Sequence, residues 1–277
     1  MVTDAKWVDM DNNGYDDLII TGHWMGIMIF KNEKGKFTPD KSLEKYKGLW
    51  NCIEVADVNN DSNLDIIAGN LGLNTKLKAN FIEPIKLYVK DFDENGTQES
   101  ILSVFKSDHK SYVFHQRRDL ADQMPTFKKE YLRYEDYAGK EFSDVFSPSV
   151  TNGAQVHEVI ILETAVFINN GNNQFECKPL PFPAQVSSVN TILYDKTQGQ
   201  VILAGNFTDF KPEIGMLEGT FGQVFDFRNG QFVYSSASNK GLKIKGQVRS
   251  SLVLTQKKGI AYLFGRNNGR LAVYRRK

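Results

Sequence analysis

The sequence predicts an all-β fold built from repeated antiparallel sheet units, and three observations carry that reading. The stretch DMDNNGYDDL, Asp9 to Leu18, recurs as DVNNDSNLDI from Asp57 and as DFDENGTQESI from Asp91. Each copy follows a short apolar segment (AKWV, CIEVA, IKLYV) and precedes another (LIITG, IIAGN, ILSVF), the pattern of strand, acidic loop, strand. The copies begin 48 and then 34 residues apart, within the range of repeating β-sheet units.

The loops come first along the chain. Aligned, the three copies hold an acid or amide at positions 1, 3 and 5 and an acid at position 9. Position 6 is Gly14, Ser62 or Gly96, where a sharp turn requires a residue tolerant of positive φ. Carboxylates crowded into one turn repel each other unless a cation sits among them. The expected ligands are Asp9, Asp11, Asn13, Asp17 and the Tyr15 carbonyl in the first loop. In the second they are Asp57, Asn59, Asp61, Asp65 and the Asn63 carbonyl. The third offers Asp91, Asp93, Asn95, Glu99 and the Thr97 carbonyl. With position 9 bidentate, six or seven oxygens suit Ca²⁺ better than the rigid octahedron of Mg²⁺. The expectation is two to three bound Ca²⁺ ions. An EF-hand is excluded, because its position 12 glutamate is replaced by Ile20, Ala68 and Leu102 and its flanking helices by strand-like runs.

Composition bounds the rest. A chain of 277 residues that is 41% hydrophobic and 12% aromatic can bury a substantial core. No apolar run of membrane-spanning length occurs. The opening MVTDAKWVDMD lacks the basic and apolar regions of a secretory leader, so the expectation is either a cytosolic protein or a mature form with its leader removed. Cys52 and Cys177 are expected to be buried free thiols. The net charge of +1 hides an asymmetry. All 33 acids lie at or before Asp226, whereas residues 227–277 carry twelve Lys and Arg. That segment either packs beside the acidic part or presents a basic face to an acidic partner.

At this point the residues resemble a known family. The loops are similar to the FG-GAP/VCBS repeats of the integrin α-chain β-propeller and of many bacterial envelope proteins. GLWNCIEVADVNNDSNLDIIAGNLGLNTKLKA, PIKLYVKDFDENG, LPFPAQVSSVNTIL, LAGNFTDFKPEIG, GTFGQVF and KGQVRS resemble a bacterial subfamily whose propeller often accompanies a domain of the cartilage acidic protein type. The resemblance implies a calcium-bearing β-propeller of four-stranded blades, outside the cytoplasm (periplasmic, outer-membrane-associated or secreted) and usually without demonstrated catalysis; the expected partner is a protein or glycan. Two departures stand out. Before VILAGN the acidic loop is reduced to YDKTQGQ, where Asp195 is the sole carboxylate, so no calcium is expected there. MLEGTFG, 216–222, replaces an aspartate-bearing segment, and no cartilage-acidic-type domain is visible, which suggests a fragment or a shortened member.

Under that resemblance the chain parses into blades at 4–39, 49–90, 87–115, 155–180, 184–236 and 246–277, five to seven in all, over a single domain 1–277. Residues 116–147 break the β pattern as a helical insertion. There Phe127, Tyr131 and Tyr134 recur at helical spacing after Pro125 and Thr126. Its HQRRDL and RYEDY segments could form a binding patch, or the aromatic residues could simply seat the helix. His23, Trp24 and Trp50 could stack on a sugar or pack in the core. His109, His115 and His157 lie in no catalytic motif. The expected function is a non-enzymatic, calcium-stabilised binding or adhesion scaffold. The alternatives are a carbohydrate-active enzyme, enlisting acids such as Glu130 and Glu135, or a polyanion-binding module using the basic segment. Nucleic acid is disfavoured by the acidic remainder of the chain.

Overall fold

A computed structural model describes the chain except for residues 172–173, 212–213, 240, 257–258 and 276–277. It forms two compact units, one of residues 1–76 with 162–277 and the other of residues 77–161. The fold is mostly β, in several antiparallel sheets, none of which closes on itself.

In the first unit, β1 (Val2–Val8), β2 (Asp17–Met25), β3 (Met28–Glu33) and β4 (Lys36–Asp40) form a meander, and the short β5 (Gly48–Leu49) pairs with β2. Strands β6 (Cys52–Ala56) and β7 (Asp65–Gly69) begin a second sheet. The chain then leaves for the second unit. There β8 (Ile85–Lys90), β9 (Glu99–Phe105) and β10 (Ser111–Val113) are followed by five short helices between Arg117 and Thr151 and by β11 (Gln155–Val159). β11 returns to pair with β8, giving the order β10-β9-β8-β11. Back in the first unit, β12 (Ala165–Asn169) pairs directly with β7, and β13 (Phe175–Pro179) completes the order β13-β12-β7-β6. Residues 52–69 and 165–179, which the sequence parse assigns to separate blades, therefore share one sheet, with the second unit spliced between its middle strands. A third sheet holds β14 (Val189–Asp195), β15 (Gln200–Gly205), β16 (Gln223–Arg228) and β17 (Gln231–Tyr234). The last holds β18 (Val248–Gln256), β19 (Gly259–Arg266) and β20 (Ala272–Arg275).

Within the first unit the leading strands are neighbours: β6 packs beside β1, β14 beside β6 and β18 beside β14. Period-2 alternation puts apolar side chains between successive sheets. Ile67, Val166, Val201, Leu203 and Phe225 fill the space between the second and third sheets. Ile202, Val224, Tyr262 and Phe264 fill that between the third and fourth. A recurring detail shows that these sheets repeat one design. Strands β1, β14 and β18 each bulge near their start, at Val2/Asp4, Val189/Thr191 and Val248/Ser250, next to a glycine of the second strand. A Cβ on Gly22 or Gly205 would lie 1.9 or 1.8 Å from the carbonyl oxygen of Met1 or Ser188, the residue just before the bulged strand, so only glycine fits.

The helices of the second unit pack Leu120, Met124, Phe127, Tyr131, Phe142 and Phe146 onto Ile101 of β9. Pro125 opens a helix, Pro125–Glu130, as its fixed φ favours. Phe127 and Tyr131 are buried as the spacing predicts. Tyr134 is 60% exposed, because the helix stops at Tyr131 and Tyr134 begins the next one. Tyr137 takes the inward place instead, edge-on to Phe127 at 5.7 Å and to Tyr131 at 5.9 Å.

Candidate metal sites in the acidic loops

Each acidic loop joins the first and second strands of a sheet in the same register. The strand pairs end at Val8↔Asp17, Ala56↔Asp65 and Lys90↔Glu99, so the position 9 acid is always the first residue of the returning strand. The backbone repeats as well. Position 6 has positive φ in all three (Gly14 87°, Ser62 73°, Gly96 91°), and so does position 4 (Asn12 58°, Asn60 60°, Glu94 59°). Serine at position 6 therefore adopts the conformation that glycine supplies more cheaply.

Side chains hold this shape. The position 1 carboxylate accepts the N–H groups of positions 5 and 6. For Asp9 the distances are 3.0 Å from Asn13 and 2.8 Å from Gly14. For Asp57 they are 3.1 and 3.0 Å, and for Asp91 3.0 and 2.8 Å. The amide or acid at position 5 accepts the N–H of position 7, so Tyr15, Asn63 and Thr97 each donate at 2.8 Å. The position 9 acid is buried, 0% exposed at Asp17 and Asp65 and 4% at Glu99. A buried carboxylate requires donors. One oxygen accepts the position 2 N–H, from Met10, Val58 or Phe92 at 2.8 to 3.0 Å. In the first two loops the other oxygen accepts an N–H from the third strand, Asn32 at 2.7 Å or Asn169 at 2.8 Å. The Asn32 and Asn169 side chains donate in turn to the position 8 carbonyls of Asp16 and Leu64. Sequence reasoning missed this clamp. Its signal is an asparagine beginning the turn after the third strand, in KNEKGKF and INNGNNQF.

The loops differ in what remains for a cation. Asp9, Asp11 and Asp17 each bring a carboxylate oxygen within 4.8 Å of the others, and so do Asp91, Asp93 and Glu99. Asp93 Oδ1 is buried and accepts no hydrogen bond, an orphaned atom that fits a cation ligand. Asn13 and Asn95 stand beside these triads as the position 5 amides. The second loop is not such a triad. Asn59 replaces the position 3 carboxylate, and its amide donates to Asp61 Oδ2 at 2.8 Å. Burial pushes the Asp65 carboxyl up to about 6, opposed by the Val58 and Asn169 amides and reinforced by the Asp61 and Asp57 charges.

In the third sheet the equivalent connection is the tight turn 196–199. Asp195, 2% exposed, is already satisfied, accepting from Thr197 N at 2.9 Å, Thr197 Oγ1 at 2.6 Å and the Tyr262 hydroxyl.

Residues 9–68 match a family model described as an FG-GAP-like repeat. That span carries the first two loops and the strands around them. No curated protein matches the chain.

The other sequence candidates fall elsewhere. Trp50 is fully buried, 5.8 Å from the Phe167 ring, and its indole donates to the Tyr46 carbonyl. His23 hydrogen-bonds Asn51 at 3.1 Å, and Trp24 is half-buried with φ 64°. His109 pairs with Glu83, His115 accepts from Leu102 N, and His157 lies in β11. Glu130 lines a cavity of about 320 Å³ with Asp144, whereas Glu135 pairs with Arg133 in solvent. Cys52 and Cys177 are free thiols, Cys52 buried and Cys177 half-buried. No helix among the described residues is long and apolar enough to cross a membrane. Past Asp226, the ion pair recorded among the described residues is Arg228 to Asp226 at 2.7 Å. Arg266 donates to the Arg270 and Lys245 carbonyls. Lys257 and Lys258 lie outside the described residues.

Proposed function

We propose that the chain is a calcium-stabilised, β-propeller-like scaffold that acts outside the cytoplasm without catalysis and presents a surface to a protein or glycan. The observation that carries this reading is the pair of three-carboxylate clusters, one of them holding the orphaned Asp93 oxygen. All-oxygen donors favour a hard cation, and the mixed carboxylate, amide and carbonyl set suits the flexible coordination of Ca²⁺. Asp9, Asp11, Asn13, Tyr15 and Asp17 would hold one ion, and Asp91, Asp93, Asn95, Thr97 and Glu99 another. Calcium would cancel the repulsion between carboxylates and lock the turn that begins the second strand. Affinity of order 10⁻⁶ to 10⁻³ M, as in sensor and extracellular modules, would fill such sites outside the cell and leave them largely empty in cytosol. The side-by-side leading strands and the repeated glycine bulge support the propeller-like reading. Isothermal titration with Ca²⁺ and Mg²⁺ tests the metal assignment. Selective Ca²⁺ binding at about two sites is expected, and equal affinity for the two ions would overturn it.

The basic segment supports a second reading, polyanion binding. Acid pairing within the described residues reaches it only through Asp226, so its charge is not offset by direct ion pairs there.

A further inference from the structure

The shortened turn of the third sheet has a spatial consequence. Where the other acidic loops run through eight residues between paired strand ends, β14 and β15 are joined by 196–199 alone. A cavity of about 810 Å³ lies beside this turn, between it and the second acidic loop. Its size is that of a small-ligand site. The turn that borders it is pinned, since Asp195 is held by Thr197 and by Tyr262.

The lining is chemically mixed in a particular way. Tyr194 and Phe227 contribute aromatic surface, and Gln198, Gln200, Asp226 and Arg228 contribute planar polar groups. Three of these polar groups orient one another, while Gln198 donates to the Thr197 carbonyl at 3.4 Å. Asp226 accepts from Gln200 Nε2 at 2.8 Å and from Arg228 Nη2 at 2.7 Å, and Tyr194 donates to the Asp57 carbonyl at 3.1 Å. Charge is nearly balanced as well. Asp57 and Asp226 face Lys196 and Arg228, with Asp226 already paired and Asp57 accepting two backbone N–H groups. A site with pre-oriented donors and acceptors, ring surface and little uncompensated charge suits an uncharged ligand with many hydroxyls and an apolar face. An anion would meet two carboxylates, and a cation would meet Lys196 and Arg228. We propose that this cavity binds a neutral saccharide of one to two sugar units. The proposal deepens the scaffold reading by naming the glycan class, and it is independent of whether calcium fills the first and third loops, neither of which lines the cavity.

Saturation-transfer difference NMR on the full chain tests it, with cellobiose, maltose, lactose, xylobiose and chitobiose as neutral probes and digalacturonate and spermidine as charged ones. Transfer to at least one neutral disaccharide is expected. Its affinity should fall by about tenfold in Arg228→Ala and in Gln198→Ala, the loss of one or two hydrogen bonds. Both positions are at the surface, and unchanged melting transitions would show that the fold is intact. Asp11→Ala, which removes a ligand of the first loop, should lose one bound calcium and keep the sugar, so failure of the metal assignment is separable from failure of this one. No transfer from any neutral probe would overturn the proposal, as would undiminished binding in both cavity variants or preference for digalacturonate or spermidine.

Discussion

Asp93→Asn should change the sign of its effect on stability with calcium. The substitution keeps the size of the side chain and disturbs no hydrogen bond at Oδ1, since that atom accepts none. Without calcium, the wild-type third loop holds three carboxylates with oxygens within 4.8 Å. At that distance each pair repels by about 0.9 kcal/mol even at the dielectric of bulk water. Removing one charge relieves two such pairs, so the variant in EGTA should melt at or slightly above the wild type. With calcium at one hundred times Kd, binding to the folded state is worth about 2.7 kcal/mol. The loop belongs to the unit 77–161. For a unit of that size about 1 kcal/mol moves the transition by roughly 4–8 °C, so filling the site should raise it by about 10–20 °C. The variant should forgo most of that gain. The first loop lies in the larger unit, where the same binding energy shifts melting by only about 5–10 °C. Differential scanning calorimetry of both proteins, in calcium and in EGTA, reads all four values. Melting of the wild type indifferent to EGTA, with Asp93→Asn lying below it in both buffers, would refute the reasoning.

Four further outcomes are expected. Asp195→Ala should leave the ion count and the calcium dependence unchanged yet destabilise the first unit by about 1–3 kcal/mol, because the buried Tyr262 hydroxyl loses its acceptor; urea unfolding with metal analysis checks both. Replacing 77–161 by a short Gly-Ser linker should leave the first unit folded, since Gly72 N already meets Leu162 O at 2.8 Å and β7 pairs with β12 without the insert; retained strand signal by circular dichroism is the readout. Burial pushes the Cys177 thiol up to about 12, with Glu163 adding to the rise, and pushes Cys52 higher still, so at pH 8 both should be overwhelmingly protonated; iodoacetamide should label them slowly in the native state and rapidly in urea. Charge reversal at Lys243, Lys245 and Arg275 should shift elution from a heparin column to lower salt if the basic segment meets a polyanion. Arg266 is a poor choice for that test, because its guanidinium ties two carbonyls.

The loops were legible because their chemistry is local. The acid and amide positions, their spacing and the positive φ at position 6 are all written within nine residues. The sheets were legible only as strands. Nothing in IIAGN or AVFIN says that these two segments pair, since the contact spans the whole second unit and is decided by burial on both faces. The parse into consecutive blades assumed that neighbours in sequence are neighbours in a sheet, and the insertion defeats that assumption. Tyr134 failed for a related reason: a spacing of three continues a helix only if the helix continues, and its end at Tyr131 depends on tertiary packing. The Asn32 and Asn169 clamps escaped notice because they act across strands, reaching the position 9 acid from 15 and 104 residues away.

These hydrogen bonds also rank the three loops. The amide scaffold is nearly the same in each, so a turn of this shape can stand without an ion, and under the proposed calcium reading affinity rests on the carboxylate oxygen left over. In the third loop the Asp93 oxygen has no competing donor. In the first, Asp11 Oδ1 accepts Asn13 N only at a long 3.3 Å, a weak bond that leaves it available. In the second, position 3 is a neutral amide whose N–H occupies Asp61, and binding an ion there must first break that contact. Affinity should therefore fall from the third loop to the first and then to the second. A stepwise EGTA titration followed by calcium-sensitive amide shifts of Gly96, Gly14 and Ser62 reports the order directly. Ser62 should respond at the lowest chelator concentration, and Asn59→Asp, which restores the third carboxylate and removes the competing donor, should move its response to higher chelator. Simultaneous release from all three loops, or no change on Asn59→Asp, would show that the spare carboxylate oxygens do not set the affinity.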